Sequence, residues 1–289
     1  MSSRRHITRR PVRAALLAVV LTAGFAAPTA AELEALFAPR ARLWQRWTAH
    51  DAGSTARIDH GAWDRIVKRY VAHGGDGLNR VAYGRVTPSD RKAIDAYIAR
   101  LAALPISRYA RGEQRVYWIN LYNALTVQLV LARYPVASIR DIDISPGLFA
   151  DGPWDRKLVS IEGTEVSLND IEHRILRPIW RDPRIHYALN CASVGCPNLR
   201  RAAFTGGNAE ALLNESARDY VNSPRGVSFD ATVLVVSSIY VWFKGDFVGS
   251  DAGVIAHLRR YAAPKLKERL ARVMRIGRHV YDWRLNDAQ

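Results

Sequence analysis

Residues 113–133 read EQRVYWINLYNALTVQLVLAR and form the most hydrophobic segment of the chain, which has 289 residues. Pro135 limits this segment, because the residue before a proline disfavours helical backbone. If the segment is drawn as a helix, apolar side chains point in every direction, so that no face is left for solvent. The pattern therefore predicts a central helix that is buried on all sides.

Three polar side chains recur on one face of this predicted helix, namely Glu113, Asn120 and Asn123. A buried amide that lacks a hydrogen-bond partner costs about 1–3 kcal/mol. We therefore predict that the amide of Asn123 bonds to other buried groups, and we regard all three residues as candidate binding residues.

The remaining pattern mixes helices with short strands. Helical periodicity or capping signals mark residues 32–50, 63–70, 87–104, 168–176, 208–220, 251–261 and 264–274. Alternating residues predict hairpins over 157–168 and 227–237 and strands over 184–190 and 279–283. We therefore predict an α+β fold: a single domain with the central helix packed on a small, mainly antiparallel sheet, and helical N- and C-terminal segments.

Composition excludes several classes of protein. With 48% hydrophobic and 24% charged residues, the chain is not a disordered tail, a collagen-like repeat or a small disulfide scaffold. The formal charge of +15 is carried by 42 basic residues, of which only six are lysines. Such an excess of arginine often reflects the codon composition of the gene and not a binding surface, so a nucleic-acid partner is not predicted. The ligand is unknown, with an envelope component or an anionic surface as the candidate partner.

The N-terminus has the pattern of an export signal. Residues 1–31 contain five arginines and no acid, followed by an apolar run over 14–27 and small residues. The run is too short to predict a membrane span, although an uncleaved anchor remains an alternative. Ser3, Arg4 and Arg5 also resemble a twin-arginine signal. We expect a periplasmic protein, exported by the Sec or the Tat route, whose mature chain carries a charge of about +10 and no span.

The helix predicted over 168–176 contains the first candidate catalytic residues. Its apolar spacing places Glu172 inside the apolar stripe, where a carboxylate must be paired, hydrogen-bonded or protonated. His173 follows on an adjoining face. The pair is interpreted either as a structural ion pair or as a functional carboxylate with a histidine base.

The second group of candidates lies at residues 184–197. His186 and Asn190 share one face of the predicted strand, and the sequence CASVGCP follows from Cys191 to Pro197. We regard Asn190 and Ser193 as further candidate binding residues. Because the chain is exported, the close pair Cys191 and Cys196 is first a disulfide candidate. The alternatives are a metal site with His173 or His186, and a nucleophilic Cys191 or Ser193 activated by a histidine. His173 is the better base, since an extended strand holds His186 about 16 Å from Cys191. No metal and no cofactor is predicted.

Five ordered motifs carry a resemblance to a known family. They are YWINLYNA (117–124), LNDIEHRILR (168–177), HYALNCASVGCP (186–197), VWFKGDF (241–247) and YDWRLN (281–286). Together they resemble the family called domain of unknown function 547, from about residue 85 to the end. The resemblance implies no established activity, and it agrees with export, which is frequent among bacterial members. The domains predicted are thus a signal peptide (1–31), an N-terminal helical segment (32–84) and the family domain (85–289).

Two hypotheses about function remain. The first is a hydrolase or transferase in which Glu172 orients His173, or both histidines perform acid–base work, and Cys191 or Ser193 is the nucleophile. The second is a non-catalytic envelope binding module that a Cys191–Cys196 disulfide stabilises. Whether the chain is an enzyme is left open by the sequence.

Export is directly testable. Because the basic and apolar regions end in small residues, we expect mass spectrometry of the protein from its native host to find a mature N-terminus near Glu32. An intact Met1 in the soluble envelope fraction would contradict this prediction.

Overall fold

The computed structural model describes residues 38–146 and 152–288. The predicted signal peptide lies outside these residues, as does the beginning of the helix predicted over 32–50. In the described part of that segment the only helical element is a 3₁₀ turn, Gln45–Thr48, so the predicted helix is wrong there. The N–H groups of Arg42 and Trp44 donate instead to the carbonyls of His173 and Arg174, at 2.9 Å each.

Three α-helices build the first half of the molecule, as the sequence predicted: α1 (Gly61–Tyr70), α2 (Pro88–Ala102) and α3 (Arg111–Arg133). Thr87 caps α2 by accepting a hydrogen bond from the Asp90 N–H. Helix α3 is buried along almost its whole length and packs mainly against α2 and a later helix, Asp170–Leu176. Within the described ranges, no helix is both long and apolar enough to cross a membrane.

The helix Asp170–Leu176 has π geometry and continues into α4 (Arg177–Trp180). The helix predicted over 168–176 therefore continues past its predicted end and through Pro178. Proline has no N–H, so one carbonyl near the end of the helix lacks its helical donor. That carbonyl belongs to His173 if the spacing is that of a π-helix and to Arg174 if it is that of an α-helix. These are the two carbonyls that accept hydrogen bonds from the N–H groups of residues 42 and 44.

The strand predicted over 184–190 is also wrong, because residues Ile185–Ala188 form a short helix, α5. Asp182 accepts hydrogen bonds from the Arg184 N–H and guanidinium, and its carbonyl accepts one from Ile185 N–H. Asp182 and Pro183 thus start a helical turn, a signal that outweighs the alternation of apolar residues.

The later helices agree with the prediction in position: α6 (Ala209–Val221), α8 (Asp251–Tyr261) and α9 (Pro264–Leu270). A short helix that the sequence analysis missed, α7 (Ile239–Trp242), lies between them and is followed by a 3₁₀ turn, Lys244–Phe247. These elements enclose a second apolar cluster next to the one around α3.

The strands form small separate sheets, and the predicted α+β class is confirmed. Hairpins join β1 (Val71–His73) to β2 (Asn79–Val81) and β3 (Val159–Ile161) to β4 (Thr164–Val166). A third sheet has the order β5 (Val227–Asp230), β6 (Val233–Ser237) and β7 (Arg278–Val280), in which β7 runs parallel to β6. The β1–β2 hairpin was not predicted from the sequence.

Asn123 bonds to buried groups, as predicted. Its Nδ2 donates to the carbonyl of Ala188 (2.9 Å), and its Oδ1 accepts from the N–H of Asn190 (2.9 Å). One amide therefore fixes the chain between α5 and the cysteine loop against α3.

Replacing Asn123 by Leu should lower the free energy of unfolding by about 1–3 kcal/mol, since it strands a buried carbonyl and a buried N–H. Urea unfolding measures the change. The control is Gln128→Leu on the same helix, where the amide bonds only to the carboxylate of Asp95 near the surface. Equal stability of Asn123→Leu and the wild type would contradict the prediction.

Candidate functional site

A cavity of about 340 Å³ opens beside the π-helix, and we call it the site cavity. Its lining includes Glu172, His173, His186, Cys191 and Cys196. All four candidate catalytic residues therefore meet at one place. The π-helix supplies the first two, α5 supplies His186, and the loop after α5 supplies the thiols.

One side of the site cavity is aromatic. Trp242, at the end of α7, lies 4.8 Å from Tyr281 and 5.7 Å from Trp283 between ring centroids, and Trp283 lies 5.6 Å from Trp154. We call these four residues the aromatic wall. They come from three distant parts of the chain, and the sequence analysis had quoted three of them only as parts of family motifs.

His186 is held between two carboxylates. Its Nε2 lies 2.7 Å from Oδ2 of Asp246, its Nδ1 lies 3.5 Å from Oε1 of Glu172, and its ring stacks on Phe243 at 4.6 Å. Asp246 also accepts a hydrogen bond from Nε of Arg177 at 2.6 Å. Burial alone would raise the pKa of Asp246, but these two hydrogen bonds hold it below its usual value. The ring is thus fixed in both position and direction.

His173 is buried and neutral at pH 7. Its Nδ1 accepts a hydrogen bond from Nη1 of Arg177 at 2.8 Å, so the proton of the neutral ring is assigned to Nε2. Burial lowers the pKa of His173 to about 4, and the charge of Arg177 adds to this, although Glu172 opposes it. The Nε2 atom lies 4.0 Å from Oε2 of Glu172.

Glu172 is the carboxylate that both histidines approach. Burial raises its pKa, but His173, His186 and Arg177 together outweigh that effect and lower the pKa to about 2. The hydroxyl of Tyr122 also contacts it, and Tyr122 stays protonated because burial and the charge of Glu172 raise its pKa. Glu172 is therefore ionised at neutral pH, beside an apolar cavity.

Cys191 and Cys196 are both free thiols, so the structure does not contain the predicted disulfide. The Sγ atoms lie 2.7 Å apart, whereas a disulfide bond measures about 2.05 Å. The short loop brings the sulfurs together, as their spacing suggested, but Cys191 is held as a hydrogen-bonded thiol. Its Sγ lies 3.2 Å from the hydroxyl of Ser193 and 3.1 Å from that of Tyr281.

The two thiols differ in accessibility and acidity. Cys191 is half-buried, and although burial raises its pKa, hydrogen bonds with Cys196, Ser193 and Tyr281 lower it below the usual value. Cys196 is buried, and burial raises the pKa of its thiol well above the usual value. Cys191 is therefore the more reactive of the two.

The candidate binding residues lie elsewhere and contact mostly backbone. Glu113 accepts hydrogen bonds from Arg57 and from the N–H of Ile58, and Asn120 pairs with the backbone of Phe204. Asn190 bonds to the carbonyl of Pro197 and the N–H of Ala192. Like Asn123, these side chains connect segments and do not line the site cavity. Only Ser193 reaches the site, through Cys191 and Tyr281.

Two charged residues of the site, Arg177 and Asp246, were not predicted from the sequence. Arg177 and Asp246 connect the histidines to each other, yet both were quoted only inside family motifs. The motif VWFKGDF was the signal that could have identified Asp246. Among residues 38–146 and 152–288, no group of three or more His, Cys, Asp or Glu side chains is arranged to hold a metal ion.

Residues 106–221 match the model of the family described as "Protein of unknown function, DUF547". The resemblance inferred from the motifs is thus confirmed over this segment, which includes α3, the π-helix, α5 and both cysteines. The motifs at 241–247 and 281–286 lie beyond it. No curated protein and no solved structure matches the chain.

The lowered pKa of His173 makes stability depend on pH. An unfolded histidine gains a proton near pH 6.5, whereas the folded one does so only near pH 4, so acid favours the unfolded state. From pH 7 to pH 5, His173 should account for a loss of about 2 kcal/mol in unfolding free energy. The low pKa of Glu172 acts only below about pH 4.5 and does not contribute in this range.

Urea unfolding of His173→Gln at both pH values tests this. The loss on acidification should be smaller than in the wild type by about 2 kcal/mol. His257→Gln is the comparison variant, because burial lowers the pKa of His257 to about 4 as well. Equal losses in His173→Gln and wild type would show that His173 is protonated in the folded state at pH 5.

Proposed function

We propose that the protein is a thiol-dependent hydrolase or transferase in which Cys191 is the nucleophile. One observation carries the proposal: a half-buried thiol of lowered pKa lines the same cavity as an ionised carboxylate and two oriented histidines. Reactive cysteines are typically accessible and stabilised as thiolates, whereas structural ones are buried and inert. Cys191 fits the description of a reactive cysteine, and Cys196 fits that of a structural one.

The reaction that suits this site is acyl transfer. The Cys191 thiol loses its proton to solvent, and its sulfur adds to a carbonyl carbon of the substrate. The leaving group departs with the electron pair of the broken bond and a proton from solvent, which leaves a thioester. Water or a second acceptor then attacks the thioester, releases the acyl group and restores the thiol.

The histidines are better suited to positioning than to acid–base work. Arg177 occupies Nδ1 of His173, and Asp246 occupies Nε2 of His186. The remaining nitrogen of each ring faces Glu172. We therefore propose that His173 and His186 orient Glu172, which stays ionised, and that neither is the base for Cys191.

The second candidate is a non-catalytic binding module. It is favoured because Arg177 and Asp246 already hold the two histidines by hydrogen bonds. A cavity whose charged groups are fixed in this way is suited to binding a charged ligand. The disulfide that this hypothesis invoked is absent from the structure. Export to the periplasm remains part of either proposal and rests on the pattern of residues 1–31.

Acylation with p-nitrophenyl acetate tests the nucleophile. The reduced protein should release about one equivalent of p-nitrophenolate in a burst, and peptide mapping should find an acetyl thioester on Cys191. Cys196→Ser is the matched control and should keep the burst, whereas Cys191→Ser should lose it. A burst that survives in Cys191→Ser, or an acetyl group on another residue, would contradict the proposal.

A second variant separates an activated thiol from a merely exposed one. Tyr281→Phe removes one hydroxyl that contacts the sulfur of Cys191. The pH profile of iodoacetamide alkylation at Cys191 should then move to higher pH, because the thiolate loses a hydrogen bond. An unchanged profile would show that Tyr281 does not activate the thiol.

A further inference from the structure

We infer that Glu172 and the aromatic wall form a subsite for a cationic nitrogen group of the ligand, an alkylammonium or a guanidinium. The inference deepens the proposed function and rests on the same cavity, but it concerns binding and not the thiol. It thereby names a chemical class of ligand that the family description does not give.

The first argument is that Glu172 lacks a close cationic partner. A charge-assisted hydrogen bond measures about 2.7–2.9 Å. Glu172 lies 3.5 Å from Nδ1 of His186 and 4.0 Å from Nε2 of His173, which are longer contacts. In the part of the chain that the structure describes, its only ion-pair contacts are with these histidines. The half-buried Glu172 is thus ionised without a short ion pair, and a cation that enters the cavity can form one.

The second argument concerns the charges around Glu172. The guanidinium of Arg177 is directed at Asp246, from which its Nε lies 2.6 Å away, and His173 is neutral. His186 makes its short contact with Asp246 as well, at 2.7 Å. Arg177 and His186 thus make their short ion pairs with Asp246, and Glu172 lines the cavity with only the longer contacts to the histidines.

The third argument is the aromatic wall. Trp242, Trp283 and Tyr281 lie within 4.6–5.7 Å of one another between centroids, and all three line the cavity with Glu172. The faces of such rings attract cations, most strongly where water is displaced. The guanidinium carbon of Arg140, which lines the same cavity, already lies 5.3 Å from the centroid of Trp283, so the wall accepts a cation of the protein itself. Together with Glu172, the rings of Trp242 and Tyr281 favour an ammonium group over both an anion and a neutral group.

Titration with benzylammonium, observed through the indole N–H signals in ¹H–¹⁵N NMR spectra, tests the inference. Benzyl alcohol is the neutral probe of similar size. At pH 7 the wild type should bind benzylammonium saturably and at least about tenfold more tightly than benzyl alcohol, a difference of about 1.4 kcal/mol. This comparison needs no variant. Absence of saturable binding, or equal affinity for the two probes, would overturn the inference.

Variants then locate the charge. Glu172→Gln should lose most of the preference for benzylammonium. Asp155→Asn is the matched control, because it removes the same charge from an exposed residue that lines the same cavity. A preference that follows Asp155, or one retained in a folded Glu172→Gln protein, would overturn the assignment.

The same experiment separates this inference from the proposed function. Both readouts are taken on the wild type, and Cys191→Ser, which has no thiol to acylate, should keep the preference for benzylammonium. Loss of acylation with binding retained would refute only the thiol enzyme, whereas loss of binding with acylation retained would refute only the cation subsite.

Discussion

The site depends on the backbone hydrogen bonds that attach the N-terminal segment to the π-helix. The carbonyls of His173 and Arg174 accept hydrogen bonds from the N–H groups of Arg42 and Trp44, next to the place where Pro178 removes one donor from the helix. The N-terminal segment is thereby attached along the π-helix, where Trp44 covers Arg174 with the guanidinium carbon 4.1 Å from the ring centroid. The same π-helix packs on α3 and directs Glu172 and His173 into the site cavity. An irregular helix at a functional position is a frequent feature of proteins.

The charged side chains of the site form one connected network and not isolated ion pairs. Arg177 donates to both His173 and Asp246, and Asp246 contacts His186, which approaches Glu172. Each member fixes the orientation of the next one, so Arg177 and Asp246, which do not line the cavity, help to position the histidines and Glu172, which do. Such a network is stable only when its members are satisfied, and Glu172 is the one with the longest contacts. Glu172, the last member of this network, is therefore the residue at which a bound ligand can add the strongest hydrogen bond.

Local signals predicted much of the fold, and tertiary contacts account for most of the errors. The apolar pattern of 113–133 and the cap at Thr87 predicted α3 and α2. Glu172 was predicted inside an apolar stripe, and the structure places it half-buried at the lining of the site cavity. Residues 184–190 alternate as a strand does, but Asp182 starts a helix there by bonding to the Arg184 N–H. The helix predicted over 32–50 does not form in its described part, because residues 42 and 44 make backbone hydrogen bonds with a segment about 130 residues away. No local sequence pattern indicates such a contact. For the same reason, neither Asp246 nor the aromatic wall could be assigned to the site from spacing.

The cysteine pair shows how one short loop gives two thiols different chemistry. Burial raises the pKa of both thiols, but hydrogen bonds with Cys196, Ser193 and Tyr281 outweigh that effect at Cys191, whereas burial prevails at Cys196. Cys196 receives the N–H of Cys191 and remains a buried thiol whose pKa is raised, so its proton can be donated to the neighbouring sulfur. An electrophile that enters the cavity therefore meets a single nucleophilic sulfur, with the second thiol acting as a hydrogen-bond donor to it and not as a competitor. This asymmetry is a property of the loop and of Tyr281, and it does not require the histidines, which leaves them free to orient Glu172.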